Sequence, residues 1–180
     1  MPAGVLLVRA LLGALGANPV DTALNALGLQ ALIFLMATLF CSPLQWLFKW
    51  TWPARVRRTL GLLGLGYVTV HLSVYVVLDQ SLNLALILED LGKRPFIAVG
   101  FGAWVLLLPL GFTSTAASVK RLGYVKWKRL HRLAYLCAAL GCVHYYLRVK
   151  KDVTQPVLYA SVLGVLLSVR AIAVLRGRRV

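Results

Sequence analysis

The segment TLGLLGLGYVTVHLSVYVVL, residues 59 to 78, contains no Asp, Glu, Lys or Arg and a single histidine, His71. A helix that crosses a bilayer needs about 20 predominantly apolar residues, so this segment predicts a transmembrane helix. Four further segments share its character, at residues 23–41, 95–119, 130–147 and 156–175. A shorter apolar run at residues 5–17 contains Arg9 and lacks the basic start of a signal peptide. It predicts a short first helix, incomplete if translation begins upstream.

The composition also places the chain among membrane proteins. It is 60% hydrophobic and 14% charged, with a mean hydropathy of +0.80, whereas soluble domains average about 45–50% apolar and 25% charged residues. We therefore predict an all-α integral membrane protein, a bundle of five to six transmembrane helices. We expect residues 1–180 to form a single transmembrane domain.

The net charge of +15 would suggest nucleic acid as the partner of a soluble chain. Here the basic residues bunch between apolar runs, so we expect a lipid bilayer and no nucleic acid. Alternate loops carry very different numbers of Lys and Arg, which predicts a cytoplasmic location for the richer set and for the C-terminus. The richer set is Lys49, Arg55, Arg57, Arg58, Lys120, Arg121, Lys126, Lys128, Arg129, Arg132, Arg170, Arg176, Arg178 and Arg179; the poorer set is Lys93, Arg94, Arg148, Lys150 and Lys151. Arg170 lies near the end of its segment and is expected to snorkel to the surface.

All three histidines lie in or beside apolar segments. His71 follows Arg58 by thirteen residues and His144 follows His131 by thirteen, a rise of about 20 Å along a helix. His71 and His144 are therefore expected at one depth on different helices, with His131 nearer the basic side. Two imidazoles at one level can supply both axial ligands of a haem iron. A proton relay and simple helix packing remain alternatives for such histidines.

Small residues accompany the histidines, and they have two interpretations. Ala134, Ala138 and Gly141 follow His131, and Gly61 and Gly64 precede His71. They leave room for a flat macrocycle, and they are also the usual device for close helix packing in membranes. An ideal helix places His131 and His144 about 140° apart in rotation. A tilt or a local irregularity is needed if both histidines serve stacked sites.

The three cysteines suggest no chemistry. Cys41, Cys137 and Cys142 form neither a CxxC motif nor a CxxCH haem-attachment motif. We interpret them as small buried hydrophobic residues.

Several segments together resemble the MsrQ family, also called YedZ, within the wider ferric-reductase-like transmembrane group. The segments are GALGANPVD, MATLFCSPL, RVRRTLGLLGLGYVTVHLSVY, GFTSTAASVKRLG with the following YVKWKRLHRLAYL, and CVHYYLRVK. The resemblance implies a b-type haem subunit in a bacterial inner membrane. It would carry electrons from the quinone pool, or from a cytoplasmic flavin-dependent donor, to MsrP. MsrP is a periplasmic molybdopterin enzyme that reduces oxidised methionines and so repairs proteins.

The wider group has two histidines on each of two helices, and this sequence departs from that pattern. The position thirteen residues before His71 is Arg58 rather than histidine. The resemblance implies His71 and His144 as ligands of an outer haem and His131 as a ligand of an inner one. Either only one haem is present, or the inner haem has an unusual second ligand or none. Arg57 and Arg58 stand at the right depth to contact it, or serve as orientation charges or propionate partners.

The resemblance leaves the other cofactors and the acceptor open. The implied cofactors are one or two haem b groups, with a quinone and FMN as further candidates. GLLGLG at residues 61–66 lies inside an apolar segment and is not a nucleotide-binding loop. We therefore expect an electron-transfer subunit whose partner reduces the sulfoxide. The alternatives are a haem-containing ferric or other metal-ion reductase component, and a haem-free transporter or scaffold subunit.

Overall fold

The computed structural model describes residues 3–176, and within that range the secondary structure is entirely helical. Arg178 and Arg179, counted above among the basic residues, lie outside the described range. A π-helical turn, Tyr75–Asp79, directly continues the third helix. The helices are α1 Ala3–Leu11, α2 Pro19–Phe48, α3 Trp52–Val74, α4 Leu84–Lys93, α5 Pro95–Phe112, α6 Ala116–Leu122, α7 Tyr124–Leu130, α8 Leu133–Arg148 and α9 Thr154–Leu175.

Four helical stretches in the described range are long and apolar enough to cross a membrane: α2, α3 with its π-helical turn, α5 and α9. Helix α8 is shorter, at 16 residues, and packs inside the bundle against α2, α5 and α9. Large apolar side chains on the spanning helices are exposed, as expected where lipid covers a protein. Examples are Leu62, Val70, Phe101, Val105, Val162 and Val165. The chain is an all-α membrane protein, as predicted.

Two of the predicted segments are interrupted. The segment expected at 95–119 is helical to Phe112, breaks over residues 113–115 and becomes helical again at Ala116. The Thr113 hydroxyl donates to the carbonyl of Pro109 at 2.5 Å, and Thr115 begins α6 by accepting from the Ser118 N–H at 3.1 Å. Hydroxyl side chains that bond the local backbone in this way compete with helix continuation. The chain also turns at residues 131–132, so α8 begins at Leu133 rather than within a helix that starts at residue 130.

Helix α2 lies at the centre of the bundle and packs most extensively on α3, while α5 packs on α8. One buried cluster joins α2, α8 and α9 through Leu32, Met36, Leu39, Ala138, Cys142, Leu163 and Leu166. A second joins α2, α5 and α8 through Leu35, Leu107, Leu110 and Cys137. The three cysteines are buried and unbridged, which agrees with their interpretation as small hydrophobic residues.

The contact between α2 and α3 depends on a glycine. Gly64 is buried, and a Cβ atom there would lie 3.1 Å from Cδ2 of Leu35. At Gly66, two residues further along α3, no neighbouring atom lies within 4 Å of a Cβ atom built in the same way. Gly64 therefore permits the close approach of the two helices, whereas Gly66 faces open space.

We expect Gly64→Val to destabilise the protein by about 1–3 kcal/mol, because extra methyl groups in a packed contact force neighbouring side chains and backbone apart. Thermal unfolding of the detergent-solubilised protein measures this difference. Gly66→Val is the matched control and should shift the midpoint much less. Equal effects of the two variants would show that the α2–α3 contact is not close-packed at Gly64.

Candidate cofactor site

His71 on α3 and His144 on α8 lie together in the bundle. Their ring centres are 6.1 Å apart, and the ring planes are nearly perpendicular at 89°. Both side chains are partly buried. The structure thus brings together the two histidines that were expected at one depth on different helices.

Each of these histidines is oriented by a backbone carbonyl of a neighbouring helix. Nδ1 of His71 lies 2.9 Å from the carbonyl oxygen of Leu24 on α2, and Nδ1 of His144 lies 2.6 Å from that of Phe96 on α5. A carbonyl oxygen only accepts, so Nδ1 carries the hydrogen in both rings and Nε2 has the free lone pair. Metal-binding histidines commonly have this arrangement, in which the other ring nitrogen donates to a carbonyl or carboxylate.

A glycine accommodates each histidine ring. It lies one helical turn after the residue whose carbonyl the ring contacts. A Cβ atom at Gly28 would lie 3.2 Å from Nδ1 and Cε1 of His71, and one at Gly100 would lie 2.6 Å from Nδ1 of His144. Gly28 follows Leu24 by four residues, and Gly100 follows Phe96 by four. In a helix these positions lie on one face, so the glycine opens the space through which the ring reaches the carbonyl.

Sequence reasoning missed Gly28 and Gly100 and named other small residues. Gly61 faces Thr38 and Gly64 faces Leu35, so both serve the packing of α3 on α2. The available signal was a glycine inside an apolar helix, and it does not reveal which side chain of another helix fills the space.

The pair of histidines borders a cavity of about 680 Å³, here named the two-histidine cavity. This volume lies within the range of about 300–1,000 Å³ typical of ligand pockets. Its wall is mainly apolar and aromatic, with a polar end. The lining includes Gly28, His71, Gly100 and His144, and at the polar end Asp21, Tyr75 and Arg148.

The separation of the rings fits a metal held between them. An imidazole nitrogen lies about 2.0–2.1 Å from a bound first-row metal such as zinc, which places the centres of two opposed imidazoles about 6 Å apart. In the described part of the chain, no three His, Cys, Asp or Glu side chains form a metal-binding group. The two histidines offer two nitrogen ligands, a number that suits a metal whose remaining ligands come from a macrocycle.

The polar end of this cavity is braced by ion pairs. Arg148, one turn after His144, donates to Asp21 of α2 at 2.5 Å and also bonds Asn25. One turn after His71, the Tyr75 hydroxyl donates to Asp90 at 3.0 Å. Tyr75 begins the π-helical turn, an irregularity that is frequent at functional sites.

His131 lies apart from this pair, in the turn between α7 and α8. Its Nε2 is 3.1 Å from the hydroxyl oxygen of Thr113, and its ring centre is 4.1 Å from that of Trp127. Because Thr113 donates its one hydroxyl hydrogen to Pro109, its oxygen accepts from Nε2–H of His131. His131 therefore has the opposite tautomer from the other two histidines. Because of this turn, His131 and His144 do not lie on one continuous helix.

His131 borders a second cavity, of about 830 Å³, here named the basic cavity. Arg57 and Arg58, the candidate residues of α3, line it together with His131, so the structure brings these three together. Arg57 donates to the Ser42 hydroxyl at 3.2 Å, and Arg58 is exposed. Lys128, Arg132 and Arg170 complete the cations of the wall, which includes no acidic residue of the described range.

The similarities to known proteins define first a class and then a family. Residues 24–142 match the model of the family described as ferric reductase like transmembrane component. A relative from Rhodospirillum rubrum is 46% identical over 167 residues, 93% of this chain and 80% of its own. One from Deinococcus radiodurans is 48% identical over 166 residues, 92% and 82% of the two chains. One from Herminiimonas arsenicoxydans is 43% identical over 172 residues, 94% and 79% of the two chains.

Each of these three relatives is described as the heme-binding subunit MsrQ of a protein-methionine-sulfoxide reductase. No solved structure matches the chain. The class is thus that of the ferric-reductase-like transmembrane proteins. Within it, the chain belongs to the MsrQ family, as its motifs predicted.

The ion pair between Asp21 and Arg148 joins α2 to α8 beside the histidines, and it should contribute measurably to stability. We expect a coupling free energy of about 1 kcal/mol in a double-mutant cycle of Asp21→Asn and Arg148→Gln, the upper end for partly exposed pairs. The measurement is thermal or denaturant unfolding of the four proteins in detergent.

The control cycle is Glu89→Gln with Lys93→Gln, a pair within α4 whose side chains are 52% and 73% exposed. Its coupling should not exceed about 0.5 kcal/mol. If the Asp21–Arg148 coupling is no larger, the pair does not fix α8 against α2.

Proposed function

We propose that the chain is a haem-carrying electron-transfer subunit of a methionine-sulfoxide reductase system. The observation that carries this proposal is the arrangement of His71 and His144. Their ring centres are 6.1 Å apart at a cavity inside a membrane bundle, and each Nδ1–H is bonded to a carbonyl. The heme-binding description of the relatives supports the same conclusion.

The residues of the two-histidine cavity fit a haem b. His71 and His144 would ligate the iron through Nε2, and the haem would be held without covalent attachment since the sequence has no CxxCH motif. When bound, haem supplies reversible one-electron chemistry. The apolar wall excludes water, and the carbonyls of Leu24 and Phe96 keep both imidazoles in the required tautomer.

The basic cavity is proposed as the site of a second, inner cofactor. His131 is its one histidine, and Arg57 and Arg58 stand in the wall beside it. Nε2 of His131 must give up its hydrogen bond to Thr113, and its hydrogen must move to Nδ1 or to solvent, before that nitrogen could ligate a metal. The candidates are an inner haem b, FMN and a quinone, each of which contains a flat ring system.

The direction of electron flow is proposed from the charges and the family. The basic loops and the C-terminus are assigned to the cytoplasm of a bacterium with the chain in the inner membrane, and residues 1–180 act as one transmembrane domain. The glycine-rich run GLLGLG lies within α3, so its backbone N–H groups form the hydrogen bonds of the helix rather than a phosphate-binding loop. Electrons therefore come from a quinol or a flavin-dependent donor, and they leave on the periplasmic side to an MsrP-like molybdopterin enzyme that repairs oxidised proteins.

The histidine variants test the proposal directly. We expect the dithionite-reduced minus oxidised spectrum of the purified protein to show a b-type signal. His71→Ala and His144→Ala should lose the signal of the two-histidine cavity, because each removes an axial ligand. His131→Ala should retain it, and should lose a separate component only if an inner haem is present. The haem-to-protein ratio gives the number of sites.

A folded protein without haem absorption would contradict this function and favour the transporter or scaffold alternative.

The ferric-reductase-like family model makes a metal-ion reductase the second candidate. Stopped-flow reoxidation separates the two. An MsrP-like partner with a methionine sulfoxide substrate should reoxidise the haem faster than a ferric chelate does, and the reverse result would favour the metal-ion reductase.

The glycines beside the histidines provide a second prediction. Gly100→Ala places a methyl group where the ring of His144 lies, so the ring must move away from the Phe96 carbonyl. We expect haem retention to weaken by about 10- to 100-fold, as when residues that orient a metal ligand are changed. Haem content after dialysis against a haem acceptor measures the loss.

Gly102→Ala is the matched control on the same helix, since nothing lies within 4 Å of a Cβ atom there. It should retain haem as the wild type does. If Gly100→Ala retains haem equally well, His144 is not an axial ligand in the orientation described.

A further inference from the structure

Arg170 on α9 does not snorkel to the surface as predicted; it turns into the bundle. Its guanidinium carbon lies 4.6 Å from the centre of the Tyr135 ring and 5.5 Å from that of Trp46. Its Nη1 atom is buried and has no hydrogen-bond partner among the described residues. The side chain also lines the basic cavity.

An unpaired guanidinium nitrogen inside a membrane bundle is unfavourable. Arginine stays charged under all ordinary conditions and offers five N–H donors. The faces of Tyr135 and Trp46 attract the positive charge, but a ring face does not replace a hydrogen-bond acceptor. A buried donor without a partner keeps its cost of desolvation.

The surroundings of Arg170 add positive charge rather than remove it. Arg57 and Arg132 lie close enough to repel it electrostatically, and Arg58 and Lys128 line the same cavity. The lining includes no Asp or Glu of the described range. Arg57 has only the neutral Ser42 hydroxyl as a hydrogen-bond partner in that range.

The same wall also has an apolar part. Leu65, Leu107 and Leu110 are among the residues that line it. A molecule that satisfies the whole cavity is therefore flat and apolar along most of its length and carries an anionic group at one end. Carboxylate and phosphate are the oxyanions whose geometry matches the fork of a guanidinium.

We propose that Arg170, with Arg57 beside it, binds the carboxylate or phosphate oxyanion of a flat redox cofactor in the basic cavity. This inference deepens the proposed function and rests on it for the presence of a cofactor. Arg170 supplies the buried donor and Arg57 the second cation, while Tyr135 and Trp46 hold the guanidinium plane in place. The cofactor is thereby oriented with its charged end among the cations and its apolar body toward the bundle centre.

The test compares Arg170→Gln with Arg176→Gln, a matched control that removes an exposed arginine two turns further along. Flavin fluorescence titrations use FMN and riboflavin, which differ by one phosphate. The haem-to-protein ratio and a redox titration measure the content and the reduction potential of bound haem, whose carboxylates are the alternative oxyanion. Arg170→Lys keeps the charge without the fork, and the thermal midpoint of each variant reports on folding.

Two results support the proposal and identify the oxyanion. If it is a phosphate, Arg170→Gln should weaken FMN binding by about tenfold or more and leave riboflavin unchanged, since a charge-assisted hydrogen bond is lost. If it is a haem carboxylate, the component that depends on His131 should be lost or shifted in potential while flavin binding is unchanged. Arg170→Lys should fall between the wild type and Arg170→Gln in either case.

Other results overturn it. One is that the wild-type protein contains a single haem and binds FMN no more tightly than riboflavin. A second is that Arg170→Gln gives the same flavin affinities, haem content and haem potentials as Arg176→Gln. A third is that Arg170→Gln weakens the binding of FMN and riboflavin equally and leaves the haem unchanged. Failure of the proposed function is seen separately, as absence of the signal that depends on His71 and His144.

Discussion

The hydrogen bonds from His71 and His144 to the carbonyls of Leu24 and Phe96 are the constraint on which the site depends. Each joins one helix of the bundle to another, α3 to α2 and α8 to α5, and each fixes the tautomer that leaves Nε2 free. The same local device serves both histidines, a carbonyl followed one helical turn later by a glycine. Because the glycine has no side chain, the imidazole can lie against the neighbouring helix. The four helices are thereby held at the spacing that brings the two rings to 6.1 Å.

The two cavities differ in charge, and this difference suits them to different tasks. The two-histidine cavity has acidic and basic groups paired at its polar end, such as Asp21 with Arg148, so it adds little net field to a bound cofactor. The basic cavity has five cationic side chains and no acidic one in its described wall. Positive charge in a low-dielectric interior stabilises anions and reduced states. Under the proposed function, an electron would pass from the basic cavity to the two-histidine cavity only if the cofactor in the latter has the more positive reduction potential.

Much of the fold and part of the site could be predicted from the sequence, for identifiable reasons. Apolar run length predicts the helices because the bilayer sets their length. The thirteen-residue spacings of His71 from Arg58 and of His144 from His131 predict that His71 and His144 lie at a common depth. The interruption after Phe112 was not predicted, because the hydroxyls of Thr113 and Thr115 add little to the hydropathy of their segment. Arg170 was expected to snorkel. The ring faces of Tyr135 and Trp46 attract its guanidinium, and they belong to two other helices. The sequence around Arg170 therefore does not reveal this contact.

By itself, the sequence determined that the chain is an α-helical membrane protein of the MsrQ family, with three histidines in or beside its apolar segments. These properties depend on composition and on distance along one helix, which the order of residues specifies directly. The tertiary structure alone decided that Gly28 and Gly100 receive the rings, that His131 occupies a separate cavity, and that Arg170 faces inward. Those features depend on the rotation of each helix about its axis and on its neighbours, and rotation is settled by the packing of all the helices together.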